Sequence, residues 1–301
     1  MLKTRIITAL VLLPLVVWVL FGVSLNTFSL AINLIMLIAA WELTALIGIE
    51  KLANKMLYLS LIQILFLIIY LSNPNMSLWP GVPFPQQLTQ WLDLRYLPYI
   101  ALVMGSIWWL VCFISLIIGK HDWLKGKSLL WLRVIAGVLM LVPCWVALIS
   151  LRSTDIVQSF SQGSLLVLYL LLQIWGADTG AYFSGKAFGK HKLAPKVSPK
   201  KTWEGVAGGL ILAVSLGLFM PHVLHLDYII HQLGYFQVVL ISLVVVVASI
   251  VGDLTESIYK RQQNLKDSGT LLPGHGGILD RIDSILSTFP VYALLFYGLI
   301  R

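Results

Sequence analysis

The stretch Phe236-Gln-Val-Val-Leu-Ile-Ser-Leu-Val-Val-Val-Val-Ala-Ser-Ile-Val-Gly-Asp-Leu-Thr-Glu-Ser-Ile-Tyr-Lys-Arg261 decides the fold. From Phe236 to Gly252 it carries no charge, and such a run in a helix can cross most of the roughly 30 Å hydrocarbon core of a bilayer. At Asp253 it turns polar. Asp253, Glu256, Ser257 and Lys260 fall at i, i+3, i+4 and i+7, so on a helix they share one face. An apolar helix therefore ends in a polar stripe that reaches down into the membrane.

The rest of the chain repeats the apolar half of that pattern. Its 301 residues are 58% hydrophobic and 11% charged, with a mean hydropathy of +0.89, whereas soluble domains carry about 25% charged residues. The runs are continuous and not alternating, which excludes a β-barrel. The expected fold is an all-α, polytopic integral membrane protein with about nine transmembrane helices, near 6–23, 27–48, 54–73, 97–118, 129–150, 162–183, 205–220, 236–257 and 284–300. Met-Leu-Lys-Thr-Arg precedes the first run, but no small-residue cleavage site is evident, so the run reads as a retained span. Pro74, Pro80, Pro83 and Pro85 mark an irregular loop after the third span. Trp79, Trp91, Tyr96 and Tyr99, near span ends, read as interfacial anchors. Cys112 and Cys144 lie inside predicted spans and show no metal-ligand spacing.

Topology follows from the basic residues. With a cytoplasmic N-terminus, only Arg95, Arg152 and Arg301 of the 21 Lys and Arg face outward, which predicts N-terminus in and C-terminus out. The formal net charge of +8 is thus mostly topogenic, and no nucleic-acid partner is expected. Acids are not required by that rule, yet Asp178, Glu204, Asp253, Glu256, Asp267, Asp280 and Asp283 all fall on the cytoplasmic side after residue 175. The chain divides into an N-terminal framework of about five spans, 1–160, and a C-terminal catalytic part of about four, 161–301.

Two regions carry the polar chemistry. In Trp175-Gly-Ala-Asp-Thr-Gly180, Asp178 sits at the end of a span among small residues that admit another helix or a ligand; both readings stay open. Downstream, Ser198-Pro-Lys-Lys-Thr-Trp-Glu-Gly205 sets Lys200, Lys201, Ser198, Thr202 and Glu204 before the seventh span. Lysine charges beside a helix N-terminus suit phosphate, while a topogenic loop capped by Thr202 or Ser198 is the plain alternative. The second region runs from Asp253 through Lys266 and Asp267 to Leu271-Leu-Pro-Gly-His-Gly-Gly-Ile-Leu-Asp-Arg-Ile-Asp-Ser284. Asp280 and Asp283 are again i, i+3, with Ser284 and Ser287 continuing their face. Converging with Asp253, they suit Mg²⁺, which takes a few carboxylates and completes its octahedron with water and phosphate oxygens. Interhelical salt bridges and an ion pathway remain alternatives. Pro273, Gly274, Gly276 and Gly277 suggest a tight turn whose N–H groups approach an anion. His222, His225 and His231 read as solvated loop histidines.

The run from Ser257 to Asp283, with its Lys-Arg, Lys-Asp, His-Gly-Gly and Asp-Arg-x-Asp elements, resembles the signature of phosphatidate cytidylyltransferases, also called CDP-diacylglycerol synthases. Asp178 and Ser-Pro-Lys-Lys-Thr-Trp-Glu-Gly are similar to that family too, so the likeness is strong over about 175–290. It implies a multi-pass enzyme of the cytoplasmic (inner) membrane, homodimeric, with its site facing the cytoplasm. The reaction implied is CTP plus phosphatidic acid to CDP-diacylglycerol and pyrophosphate, with Mg²⁺ in unknown number and room for a monovalent cation. Carried onto this chain, Asp253, Asp280 and Asp283 are the metal-associated acids, and Lys200, Lys201, Lys260 and Arg261 neutralise phosphates. Substrate contacts are further expected from Asp178, Ser198, Thr202, Glu204, Glu256, Lys266, Asp267, His275, Gly276, Gly277 and Arg281. His275 suits a donor or loop organiser better than a base, since a phosphate monoester is already ionised. A transporter would need polar residues at the outer ends of spans six to nine, where only Asp227 and Arg301 are charged. A membrane transferase with another lipid acceptor keeps the same chemistry.

Overall fold

The computed structural model describes residues 2–73, 85–119, 129–154 and 162–300. Among them are nine α-helices: α1 (Leu2–Phe21), α2 (Leu25–Ile47), α3 (Leu52–Ser72), α4 (Leu97–Ile118), α5 (Leu130–Arg152), α6 (Gln162–Phe188), α7 (Trp203–Val223), α8 (Tyr228–Gln262) and α9 (Leu279–Leu299). Eight are long and apolar enough to cross a membrane; α1 contributes the shorter apolar stretch Leu10–Phe21. Pro74, Trp79, Pro80 and Pro83 lie outside the described residues.

Local chemistry sets several ends. Ser24 caps α2 by accepting from Thr27 N (3.3 Å), and Thr202 caps α7 by accepting from Gly205 N (3.1 Å), each satisfying one orphan donor of a first turn. Gly234, at φ 77°, breaks α8. A short lead-in, 228–233, therefore precedes the spanning part, which starts close to the position expected from Phe236. The segment read as a loop before the seventh span is a small antiparallel hairpin, β1 (Lys192–Ala194) with β2 (Ser198–Thr202). Glu204 holds it against α7 by accepting from His191 N (3.2 Å) and pairing with His191 Nδ1 (2.6 Å). Between α7 and α8 His222 pairs with Asp227 (2.5 Å).

Both parts of the chain share one buried core that runs from Leu20 to Ile300. Within it α9 packs against α4, α5 and α8, Trp145 stacks on Phe66 (centroids 4.5 Å apart), and Tyr297 hydrogen-bonds Thr154 (3.0 Å). Tyr96 and Tyr99 belong to this core and are not interfacial anchors. They are 7% and 1% exposed, because two 3-10 turns, Leu88–Leu92 and Leu94–Tyr96, lead the chain into α4 with Tyr99 edge-on to Tyr297. The Leu20 carbonyl at the end of α1 accepts from Arg152 Nε (3.0 Å) and Ser164 Oγ (2.8 Å), which ties α1 to α5 and α6.

Helices α6 and α7 meet almost backbone to backbone. A Cβ at Gly180 would strike the Gly208 carbonyl, and one at Gly209 would lie 2.8 Å from the Ala177 oxygen. Small residues allow this approach in a membrane, where packing rather than water exclusion holds helices together. The close pair forms one wall of the cleft described next.

Candidate active site

Helices α6, α7 and α8 and the hairpin enclose a cleft of ≈ 240 Å³. Asp178, Lys200, Lys201, Thr202, Ser249 and Asp253 give it polar lining, and Ala177, Ala181, Val206, Gly209, Val246 and Ile250 give it apolar lining, together with Tyr182. The geometry follows from the elements. Thr202 fixes where α7 begins, so β2 delivers Lys201 over α8. There Lys201 Nζ stands 2.7 Å from Asp253 Oδ2, while Ser257 Oγ is 3.3 Å from Oδ1, as the shared helical face requires.

Asp283 of α9 joins this cluster. It is within electrostatic range of Asp253, Lys201 and Asp178, and Asp178 in turn senses Lys201, Asp253 and Arg281. One turn earlier Asp280 faces elsewhere. Its Oδ1 accepts from Lys260 Nζ (2.7 Å), and its Oδ2 accepts from Ser268 N (2.9 Å), Ser268 Oγ (3.0 Å) and Gly277 N (2.9 Å). Lys260 also donates to Glu256 Oε2 (2.7 Å), so its ammonium is held between two carboxylates. Two serines zip α8 to α9: Ser287 Oγ donates to Ala248 O (2.7 Å) and Ser284 Oγ to Ser249 O (3.3 Å).

The Pro-Gly-His-Gly-Gly stretch is a tight turn in which Leu272 and Gly276 bridge and Gly276 takes φ 85°. Its N–H groups do approach anions, and the anions are the protein's own. Gly277 N serves Asp280, while Ile278 N (3.1 Å) and Leu279 N (2.8 Å) serve Glu42 of α2. The His275 Nδ1 is buried with no hydrogen-bond partner among the described residues. Lys266, Asp267, Arg261 and Arg281 are exposed on the flanks, Arg261 donating to the Leu265 carbonyl (3.4 Å). Ser198 lies at the start of β2 and does not line the cleft.

The sequence matches those of known proteins. Residues 3–299 match the cytidylyltransferase family. The chain belongs to that family. A phosphatidate cytidylyltransferase of Pseudomonas aeruginosa is 38% identical over 99% of this chain and 98% of its own length. One of Haemophilus influenzae is 33% identical over 99% of both chains. One of Bacillus subtilis is 43% identical over 50% of this chain and 53% of its own.

For this cytidylyltransferase the structure gathers Asp178, Lys200, Lys201, Thr202 and Asp253 at one cleft, with Asp283 within electrostatic range of three of them. It sets Glu256, Lys260 and Asp280 in a neighbouring buried ion-pair group. Sequence reasoning missed Glu42, Ser249 and Ser268. Glu42 carried a readable signal, an ionisable residue inside an apolar span. Ser249 and Ser268 carried none beyond their neighbourhood.

Proposed function

We propose that the chain transfers the cytidylyl group of CTP to phosphatidic acid, giving CDP-diacylglycerol and pyrophosphate. The observation that carries this reading is a cleft lined both by two lysines with two carboxylates, Asp178 and Asp253, and by apolar side chains. One substrate is a water-soluble polyanion and the other a lipid phosphate, so a site for both needs both kinds of lining. A phosphatidate oxygen attacks the α-phosphorus of CTP, a P–O bond forms, the bond to the oxygen bridging to the β-phosphorus breaks, and pyrophosphate leaves. Such chemistry asks mainly for alignment and charge stabilisation. Lys201, oriented by Asp253, neutralises phosphate charge at the cleft. Lys200, exposed beside it, receives the triphosphate from solution, and the apolar lining carries the acyl chains of the acceptor.

The acids of the cleft fit Mg²⁺. Among the described residues no three His, Cys, Asp or Glu side chains form a closed metal cage, and Mg²⁺ does not require one, because one or two carboxylates with water and substrate phosphates suffice. Asp253 and Asp283 meet that demand, with Asp178 nearby. Asp280 fits less well, because four protein donors surround its two oxygens and it does not line the cleft, whereas Asp253 lines the cleft with one donor at each oxygen. When bound, the ion would polarise and neutralise the phosphates of CTP.

The reading extends to a homodimer in the cytoplasmic membrane, with α1 as a ninth span, the N-terminus inside, the C-terminus outside and the cleft open to the cytoplasm. The skewed distribution of Lys and Arg supports the orientation, and the family resemblance supports the dimer. The test is pyrophosphate release by purified protein given labelled CTP and phosphatidic acid. Release that requires both substrates, falls to background with EDTA and returns with Mg²⁺ is expected; release indifferent to phosphatidic acid would sink the reading.

A further inference from the structure

We propose that Glu42 is a positioning residue of the transferase: a carboxylate from α2 that sets the first turn of α9 and thereby the direction of Asp283. The inference rests on the reading of Asp283 as a working acid of the cleft.

Glu42 is 7% exposed in a helix whose other residues, from Leu25 to Ile47, carry no charge. An ionised carboxylate in such a helix is costly unless something compensates it. Here the compensation comes from the catalytic part of the chain, 226 to 237 residues away. Ile278 N donates to Oε1 (3.1 Å) and Leu279 N to Oε2 (2.8 Å), while the Ser268 hydroxyl, 3.1 Å from Oε2, shares its one proton between Glu42 and Asp280 Oδ2 (3.0 Å). Leu279 is the first residue of α9, so Glu42 accepts from the N–H groups that a helix start leaves without intrahelical partners.

The loop is also shaped around this carboxylate. A Cβ on Gly269 or on Gly277 would collide with it from either side. Thr8 of α1 adds a second grip from the N-terminal part by donating to the Pro273 carbonyl (3.1 Å). Asp283 stands one turn beyond the anchored residues. A misplacement of about 1 Å at a reacting centre costs on the order of 10²-fold in rate, and a small rotation of this first turn moves the Asp283 carboxylate by a distance of that order.

Glu42→Gln tests the assignment, because it keeps the volume and turns an amide NH₂ toward N–H donors. The expected result is a fall in kcat of about 10- to 100-fold, with the CTP KM within about threefold and a thermal midpoint lowered by only a few degrees, because the buried donors keep one amide oxygen in place of two carboxylate oxygens. Hydrogen exchange should be faster at the backbone amides of 268–279 in the purified full-length protein. Glu42→Asp should recover part of kcat and of the exchange protection. Gly277→Ala, which crowds the same carboxylate from the loop side, should give the same exchange signature. A Glu42→Gln enzyme with kcat within twofold of the parent, or with unchanged exchange over 268–279, overturns the proposal. So does failure of all three variants to yield folded protein, since Glu42 would then act through the fold alone. Asp283→Asn in the same assay separates the two readings: if it remains active, the role of Asp283 falls, while the exchange data still judge Glu42.

Discussion

Replacing Lys260 with Met removes one ammonium from between two carboxylates, and the structure says which of them suffers. Lys260 Nζ lies 2.7 Å from Glu256 Oε2 and 2.7 Å from Asp280 Oδ1, with side-chain exposures of 13%, 1% and 6% for Lys260, Glu256 and Asp280. Without the lysine, Asp280 keeps Ser268 N, Ser268 Oγ and Gly277 N as donors. Glu256 is left with none among the described residues, as its Oε1 already has no partner. Removing one member of a buried pair costs about 3–5 kcal/mol, and at about 2 °C or more per kcal/mol for a chain of this size the thermal midpoint should fall by at least about 6 °C. Lys192, exposed on the hairpin, is the control: Lys192→Met should shift the midpoint by no more than about 2 °C, because surface charges contribute roughly 0–1 kcal/mol. Adding Glu256→Gln to Lys260→Met should recover more than half of the loss, and adding Asp280→Asn should recover little. Scanning fluorimetry of the purified variants in one detergent reads all of these. A Lys260→Met midpoint equal to that of the control, or equal rescue by the two second changes, would refute the reasoning.

Lys201→Met should lower kcat/KM by on the order of 10²-fold or more, as loss of a charge aimed at the reacting phosphates does, while Lys192→Met stays near the parent in the pyrophosphate assay. Thr202→Ala removes the cap on Gly205 N and should cost about 1 kcal/mol, read as a lower midpoint together with a higher KM for CTP, because the cap also fixes β2 and Lys201. Gly209→Val places a branched side chain against the Ala177 carbonyl at the wall of the cleft. Overpacking should cost about 1–3 kcal/mol and raise the KM for phosphatidic acid; a variant with parental stability and KM would show that α6 and α7 do not meet as described.

The helices were legible because hydrocarbon forces each span to satisfy its own backbone, so apolar length marks them directly. The polar stripe from Asp253 to Lys260 was legible for the same reason as any helical face: its spacing is local. What the spacing could not say is what each side chain meets. Asp280 and Asp283 look alike at i, i+3, yet one meets Lys260 and the turn and the other meets the cleft, because their partners come from different elements. The hairpin before α7 was hidden by its lysines, which read as a topogenic loop. Tyr96 and Tyr99 were misplaced because nothing local reveals that the chain folds in toward Tyr297. Glu42 went unread because the first part of the chain was taken as scaffold, although its charge was visible all along.

The bonds from Glu42 to Ile278 and Leu279 also limit how such a protein can be taken apart. A chimera that grafts residues 161–301 onto another set of leading helices inherits a turn built around an absent acid, with two backbone donors and two glycines facing a hole. The graft works only if the new leading helices bring a carboxylate to that spot, so the exchangeable unit in this chain is not the catalytic part but the catalytic part together with α2.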